Sequence, residues 1–344
     1  MKKTKLRVGI VGHGNITPIH VKSIEELDNC EFVALSSSSV EKRRKVATEH
    51  GVKTFADYND MILQPEVDVI IICTPSGFHM EPTIAAANAK KHVITEKPLE
   101  VTVARCKEMI EACEKAGVTL SCIFQNRYAS DYLKLEEAVK SGKLGKLLLG
   151  NAYIKWFRDQ AYYDSADWRG TKRGDGGAVV INQGIHTIDL LMNIMGTAKS
   201  VFGNIRTLTH DIEGEDLATA NIEFESGALG TIEASTSIYD AFPEKLEIHG
   251  VDGSVVMEAG KIVYWNNRTD GELEIEENLE KSGAKDPMGI DYSRHKTQLN
   301  NIFNSILSGG APAVTGVEAR KTIELIEGVY KSAESGEKVF LNSF

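Results

Sequence analysis

Val8-Gly9-Ile10-Val11-Gly12-His13-Gly14-Asn15-Ile16 is the stretch that decides the fold. Four apolar or small residues suit a strand buried on both faces, and the glycines then break the chain before a helical pattern begins at Ile16. Gly12 and Gly14 let the backbone approach a pyrophosphate held at the helix N-terminus, so the stretch reads as a dinucleotide-binding turn. The third glycine of the GxGxxG fingerprint is absent, and Thr17 stands in its place. The reading therefore depends on context, which the next hundred residues supply.

Arg7–Val11, Glu31–Leu35, Val67–Cys73, His92–Thr95 and Val118–Phe124 read as buried strands. Helical patterns alternate with them over Ile16–Leu27, Val40–His50, Met80–Ala89 and Val103–Ala116, with Gly51 and Gly117 where left-handed helix stops belong. This alternation predicts a doubly wound parallel sheet of the Rossmann class, assigned to residues 1–124. Beyond Gln125 the rhythm changes. Helices are predicted over Asp131–Lys140 and Val180–Met195, followed by strands from Ser200–Leu208 to Lys261–Trp265 with hairpin turns such as Glu225-Ser226-Gly227. Residues 125–344 thus predict an α+β domain with a large, mainly antiparallel open sheet, whose uncovered face suits a homodimer or homotetramer. Two helices close the chain, and Thr315 and Glu318 have capping-box spacing at the second.

The net charge of -10 argues against nucleic acid as the main partner, since phosphate binding needs basic surface. The basic start Met1-Lys2-Lys3 leads into an apolar stretch too short for a signal peptide, and no segment approaches the ~18 apolar residues of a membrane helix. Five cysteines without CxxC spacing predict reduced, buried thiols and a cytoplasmic location. No His, Cys and carboxylate cluster has metal-ligand spacing, so no metal is expected.

Val33-Ala34-Leu35 runs into Ser36-Ser37-Ser38-Ser39, with no acid until Glu41 and with Lys42, Arg43, Arg44 and Lys45 behind it. NAD sites place Asp or Glu at the end of this strand to bind the ribose hydroxyls. Hydroxyls and cations suit a 2′-phosphate instead, so NADP is preferred and NAD possible. Thr74-Pro75-Ser76-Gly77-Phe78-His79 follows another strand at the carboxyl edge of the sheet, where ligands bind in open α/β folds. Glu96-Lys97-Pro98 follows the next. A lysine ammonium there would stabilise an alkoxide or polarise a ketone. His186 suits proton transfer, and Asn182, four residues earlier on the predicted helix, shares its face.

With the glycine loop, the Thr-Pro loop, Glu96-Lys97-Pro98, and Gly176-Gly177 through His186-Thr187-Ile188-Asp189, the whole chain resembles the Gfo/Idh/MocA family of sugar and inositol oxidoreductases. The resemblance implies that Lys97 contacts the reacting hydroxyl and that His186 transfers the proton. Many members carry Asp where this chain has Asn182. Gln125-Asn126-Arg127, Tyr162-Tyr163-Asp164, Trp168-Arg169-Gly170-Thr171 and Asn182-Gln183 are similar to the UDP-N-acetylglucosamine-type 3-dehydrogenases. Ser37, Ser38 and Lys42 instead resemble the NADP pattern of glucose–fructose oxidoreductase.

The expectation is an NAD(P)-dependent oxidoreductase that moves hydride to or from a secondary hydroxyl, at C3, of a sugar, sugar derivative or nucleotide sugar. Lys97, His186 and Asn182 are its catalytic candidates. Cofactor contacts are expected from Gly12, Gly14, Asn15, Ile16, Ser37, Ser38, Lys42, Thr74, Pro75, His79, Glu96 and Lys97. Substrate contacts are expected from Lys97, Asn126, Arg127, Tyr163, Trp168, Arg169, Asn182 and His186. The basic, aromatic segment from Lys155 to Arg173 favours a carboxylated or phosphorylated sugar, or a sugar nucleotide. Two other readings share the fold: a redox-neutral glycosidase that retains NAD, and a non-catalytic NAD(P)-binding regulator. Lys97 together with His186 speaks against the regulator.

Overall fold

Short apolar runs alternate with helical stretches through the first part of the chain, and the structure follows that alternation. The computed structural model describes residues 3–272 and 292–341, so Met1 and Lys2 of the basic start lie outside the described residues. In chain order the first elements are β1 (Leu6–Val11), α1 (Thr17–Glu25), β2 (Cys30–Ser36), α2 (Val40–His50), β3 (Lys53–Phe55), α3 (Tyr58–Ile62), β4 (Val69–Ile72), α4 (Met80–Asn88), β5 (His92–Thr95), α5 (Val103–Ala116) and β6 (Leu120–Cys122). Next come α6 (Ser130–Lys140), β7 (Leu147–Lys155), α7 (Gln160–Asp164), α8 (Ile185–Met195), β8 (Ala198–Arg206), β9 (Leu217–Phe224), β10 (Leu229–Ser235), β11 (Lys245–Gly250), β12 (Gly253–Glu258), β13 (Lys261–Asn267) and β14 (Gly271–Glu272). Last are α9 (Tyr292–Ser308), α10 (Gly316–Ser335) and β15 (Val339–Phe340). Two compact units result: Met1–Gln125 with Asp291–Arg320, and Asn126–Ile290 with Lys321–Phe344.

In the first unit six parallel strands run in the order β3-β2-β1-β4-β5-β6, the doubly wound arrangement that the alternation predicts. All of β4 is buried, as a strand covered on both faces must be. Ser39 caps α2 by accepting from the Lys42 N–H, and Thr102 caps α5 by accepting from the Arg105 N–H. Gly51 and Gly117 end these two helices at φ +67° and +69°, at the predicted stops. The unit extends past residue 124, because α9 returns to it from far downstream. Leu299, Ile302 and Phe303 are fully buried in one core with Val8, Ile10 and Ile71. Gln298 extends the edge of β6: its side chain accepts from the Phe124 N–H at 3.0 Å and donates to the Cys122 carbonyl at 2.9 Å. These partners lie 174 and 176 residues away in sequence, and no local pattern announces such a return.

The second unit holds a nine-stranded sheet in the order β14-β13-β12-β11-β7-β10-β9-β8-β15. Neighbours are antiparallel except β7 and β10, which run parallel. Helix α8 packs on one face so closely that a Cβ on Gly150 of β7 would lie 2.7 Å from Leu191 and 2.8 Å from Met195. Along β9, Ala218, Ala220 and Ile222 are buried while Thr219 and Asn221 are exposed, the alternation of a sheet with one open face.

The helix read over Val180–Met195 is two pieces. Val179–Gln183 forms a π turn, closed by the Gly184 N–H donating to the Val179 carbonyl at 2.7 Å, and α8 begins at Ile185. A buried carboxylate accounts for the change: Glu215 accepts from the N–H groups of Ala178 and Val180, fixing the entry to the helix from outside. The sequence reading lacks β3, β14, β15, α3 and α7; elements of two to five residues hold too little pattern to read. All five cysteines are buried and none forms a disulfide. Among the described residues no helix is long and apolar enough to cross a membrane.

Candidate active site

The loops after β1, β2, β4 and β5 carry the residues expected to bind a dinucleotide. Gly12 has φ +95°, and a Cβ there would meet the Cys73 carbonyl oxygen at 2.8 Å, so only glycine lets the loop press against the end of β4. At Gly14 a Cβ would face open space. Thr17 closes the loop: its hydroxyl accepts from the Gly14 N–H at 3.2 Å and donates to the Gly12 carbonyl at 3.4 Å. No acidic residue occupies the first turn of α1, so its partially positive end suits an anion. This open, glycine-edged helix start fits the pyrophosphate of NAD(P). Lys42 donates to the His13 carbonyl at 2.8 Å and so brings its ammonium to the same loop. Arg43 donates to the carbonyls of Ser37 and Ser38, at 2.5 and 3.0 Å. The end of β2 has no carboxylate side chain before Glu41.

His79 and Glu96, both expected as cofactor contacts, are interior. His79 is 1% exposed, and its ring nitrogens lie 3.0 Å from the Thr74 carbonyl oxygen and 2.8 Å from that of Pro98. It ties the Thr-Pro loop to the Glu-Lys-Pro loop from within the protein. Glu96 Oε1 lies 2.6 Å from His20 Nε2 and 4.0 Å from His295 Nε2, and Oε2 accepts the Lys97 N–H at 3.1 Å. Burial works to raise the Glu96 carboxyl, but His20, His295 and Lys97 together bring it down to about 2. For His20 the signs reverse: burial lowers the imidazole, and the Cys73 sulfur and Glu96 carboxylate raise it to about 10. Two helices, α1 and α9, thus bring His20 and His295 to Glu96, the residue next to Lys97. From Val93 to Glu100, Lys97 is the one residue not buried. Its peptide bond to Pro98 is cis.

The second unit repeats that pattern of exposure. From Gly177 to Met192 every residue is buried except Asn182 and His186. The backbone ahead of them is held by Glu215, which accepts from Val180 N–H at 2.8 Å, from Ala178 N–H at 3.2 Å and from the Tyr330 hydroxyl at 3.1 Å. The Asn182 amide nitrogen lies 2.8 and 3.0 Å from the two oxygens of Asp175.

Other expected substrate residues divide. Arg169 is half-buried; it donates to the Tyr162 hydroxyl at 2.8 Å and lies over the rings of Tyr162 at 4.5 Å and Trp168 at 4.7 Å. Gln183 donates to the same hydroxyl at 3.1 Å. Tyr163, by contrast, is 3% exposed, with its hydroxyl 2.8 Å from Thr236 Oγ1 and its ring against His210. Tyr162 is therefore the accessible tyrosine of the pair, and Tyr163 is core. Arg127, beside the half-buried Asn126, is committed within the protein: two nitrogens bond the Asp189 carboxylate at 2.7 Å each, and a third bonds Asn193 at 2.8 Å. Sequence reasoning missed His20, His295, Asp175 and Glu215; only Asp175, seven residues from Asn182, lay close enough in sequence to suggest itself. Among the described residues no three His, Cys, Asp or Glu side chains are grouped to hold a metal ion.

Known proteins match both units. A family model described as an oxidoreductase family with an NAD-binding Rossmann fold matches residues 6–124, and a GFO/IDH/MocA C-terminal domain model matches residues 132–256. The solved WlbA dehydrogenase of Chromobacterium violaceum, in complex with NADH and UDP-GlcNAcA, is 30% identical with a TM-score of 0.89, covering 100% of this chain and 98% of that one. WlbA of Bordetella pertussis, with the same two ligands, is 28% identical with a TM-score of 0.86, covering 99% and 100%. Myo-inositol 2-dehydrogenase of Thermotoga maritima is 29% identical over 344 residues, 98% of each chain.

Proposed function

The chain belongs to the Gfo/Idh/MocA oxidoreductase family, and from that premise we propose that it moves hydride between NAD(P) and a secondary hydroxyl of a carboxylated sugar or sugar nucleotide. The observation that carries the reading is the exposure pattern: Lys97 emerges alone from one packed segment, and Asn182 and His186 emerge alone from another. Packing that buries every neighbour and leaves these polar groups accessible suits the presentation of reactive groups, not the filling of a core. In the oxidising direction His186 accepts the hydroxyl proton, while the Lys97 ammonium stabilises charge developing on that oxygen. In the reducing direction Lys97 polarises the carbonyl and His186 returns the proton. Bound NAD(P) supplies the hydride acceptor or donor.

Substrate class is argued from Arg169. Its contacts are a hydroxyl and two ring faces, and no carboxylate among the described residues is ion-paired with it. A half-buried guanidinium so placed suits a substrate carboxylate, and UDP-GlcNAcA, the ligand of the WlbA structures, has one. C3 as the oxidised carbon follows from the resemblance to the 3-dehydrogenases. NADP is the preferred cofactor, because Ser37, Ser38 and Lys42 stand where an NAD site places an acid. The open face of the nine-stranded sheet is the surface proposed for a homodimer or homotetramer.

The test is a panel of neutral sugars, uronic acids and nucleotide sugars, with NAD and NADP in parallel, followed by nicotinamide absorbance. Turnover of a uronic acid or its nucleotide sugar, faster with NADP, is expected. Reduction of neither cofactor by any substrate would sink the proposal, and glycoside cleavage without net reduced cofactor would establish the redox-neutral reading in its place.

A further inference from the structure

Asn182, one of the two residues from Gly177 to Met192 that are not buried, is backed by the buried carboxylate of Asp175. A carboxylate accepts hydrogen bonds and donates none, so the amide end facing Asp175 must be the NH2 end; the opposite flip would set a carbonyl oxygen against two carboxylate oxygens. Asn182 Oδ1 is therefore turned away from Asp175 and can act only as an acceptor. Asp175 is itself immobilised: it is 1% exposed, and Oδ2 also accepts the Gly170 N–H at 3.0 Å. Gly170 directly follows Trp168 and Arg169, so one buried carboxylate joins the arginine segment to the π turn.

We propose that Asp175 is a positioning residue that fixes the Asn182 amide with Oδ1 presented to the substrate. The inference rests on the hydride-transfer reading above. On this account the Asp175 charge stays behind the amide, polarises it, and makes Asn182 Oδ1 a neutral acceptor toward a substrate hydroxyl. Among the described residues, Tyr163 and Tyr330 both feel the Asp175 charge, and Glu215 lies against Tyr330.

Wild type, Asp175→Asn, Asn182→Asp and the exchange variant D175N/N182D decide the matter, through kcat and KM across mildly acid to mildly alkaline pH. Asp175→Asn should lose about 10- to 100-fold in kcat/KM, the range for one hydrogen bond to a charged group. The exchange variant restores one carboxylate and one amide and should recover most of that loss. Asn182→Asp sets two carboxylates face to face, which must share a proton, so its activity should rise toward acid pH. Wild-type kcat/KM in Asp175→Asn, a folded exchange variant no faster than Asp175→Asn, or a wild-type pH profile in Asn182→Asp would each overturn the proposal. If Asp175→Asn fails to fold, the pH profile of Asn182→Asp decides, a wild-type profile overturning the proposal. An inactive wild type sinks the hydride-transfer reading and this inference with it, whereas an active wild type beside an unaffected Asp175→Asn sinks only this one.

Discussion

Replacing Glu215 by glutamine should remove a pH dependence from the stability of the second unit. The carboxyl is 2% exposed and accepts from two backbone N–H groups and one hydroxyl. Burial pushes it up from 4.5, the donors pull it back, and it comes to about 7. Between those two values the folded chain keeps a proton that the unfolded chain has released, so stability falls as pH rises through the window. Between about pH 8 and about pH 5 this group alone changes the unfolding free energy by about 2.5 kcal/mol, from 1.36 kcal/mol per pH unit, in favour of the acid side. Glutamine does not titrate. The stability difference between wild type and Glu215→Gln should therefore move toward wild type by that amount over the same range. Trp156, Trp168 and Trp265, the three tryptophans of the chain, all lie in the second unit, so their fluorescence in urea follows that unit alone. At an m-value of about 2 kcal/mol/M the midpoint difference should change by roughly 1 M. A difference that stays constant with pH would refute the reasoning, because it would mean that three donors outweigh burial and Glu215 is ionised throughout.

Other substitutions separate chemistry from scaffolding. Lys97→Met should lower kcat by about 100- to 1,000-fold while NAD(P) affinity, measured by fluorescence titration, stays near wild type. Arg127→Met strands the Asp189 carboxylate, which is 1% exposed, and should cost about 3–5 kcal/mol in urea unfolding without changing KM. Arg169→Gln should reduce kcat/KM for a carboxylated sugar by about 10- to 100-fold and leave a neutral sugar almost unaffected, a selectivity that competing-substrate assays read directly.

What the sequence reveals here is what is local. The glycine loop, the helix stops at Gly51 and Gly117 and the alternation of strands each depend on signals a few residues apart, and the stops and the strands appear in the structure at their expected places. Lys97 and His186 were legible as motif residues for the same reason. His20 and Glu96 are 76 residues apart, and His295 reaches the pair only because α9 folds back on the first unit. No period in the chain encodes that meeting. Tyr162 and Tyr163 show a different limit: neighbours of equal polarity lie on opposite sides of a packed surface, and only the fold decides which is accessible.

The π turn shows why two buried acids are needed where a regular helix would need none. A continuous α-helix from Val180 would bond its own interior N–H groups, yet nothing in it would choose between the two flips of an asparagine amide. Here Glu215 takes the N–H groups of Ala178 and Val180 and so sets the backbone from which both Asn182 and His186 project. Asp175 then sets the flip of the Asn182 amide, which the backbone leaves undetermined. The wide turn thus needs an external acceptor for its main chain and a second one for its side chain, and both must be dry to hold a fixed geometry. Wide helical turns recur at functional sites, and the arrangement gives a physical reason in this chain: a segment anchored from outside can aim polar groups that a self-contained helix would leave free to rotate.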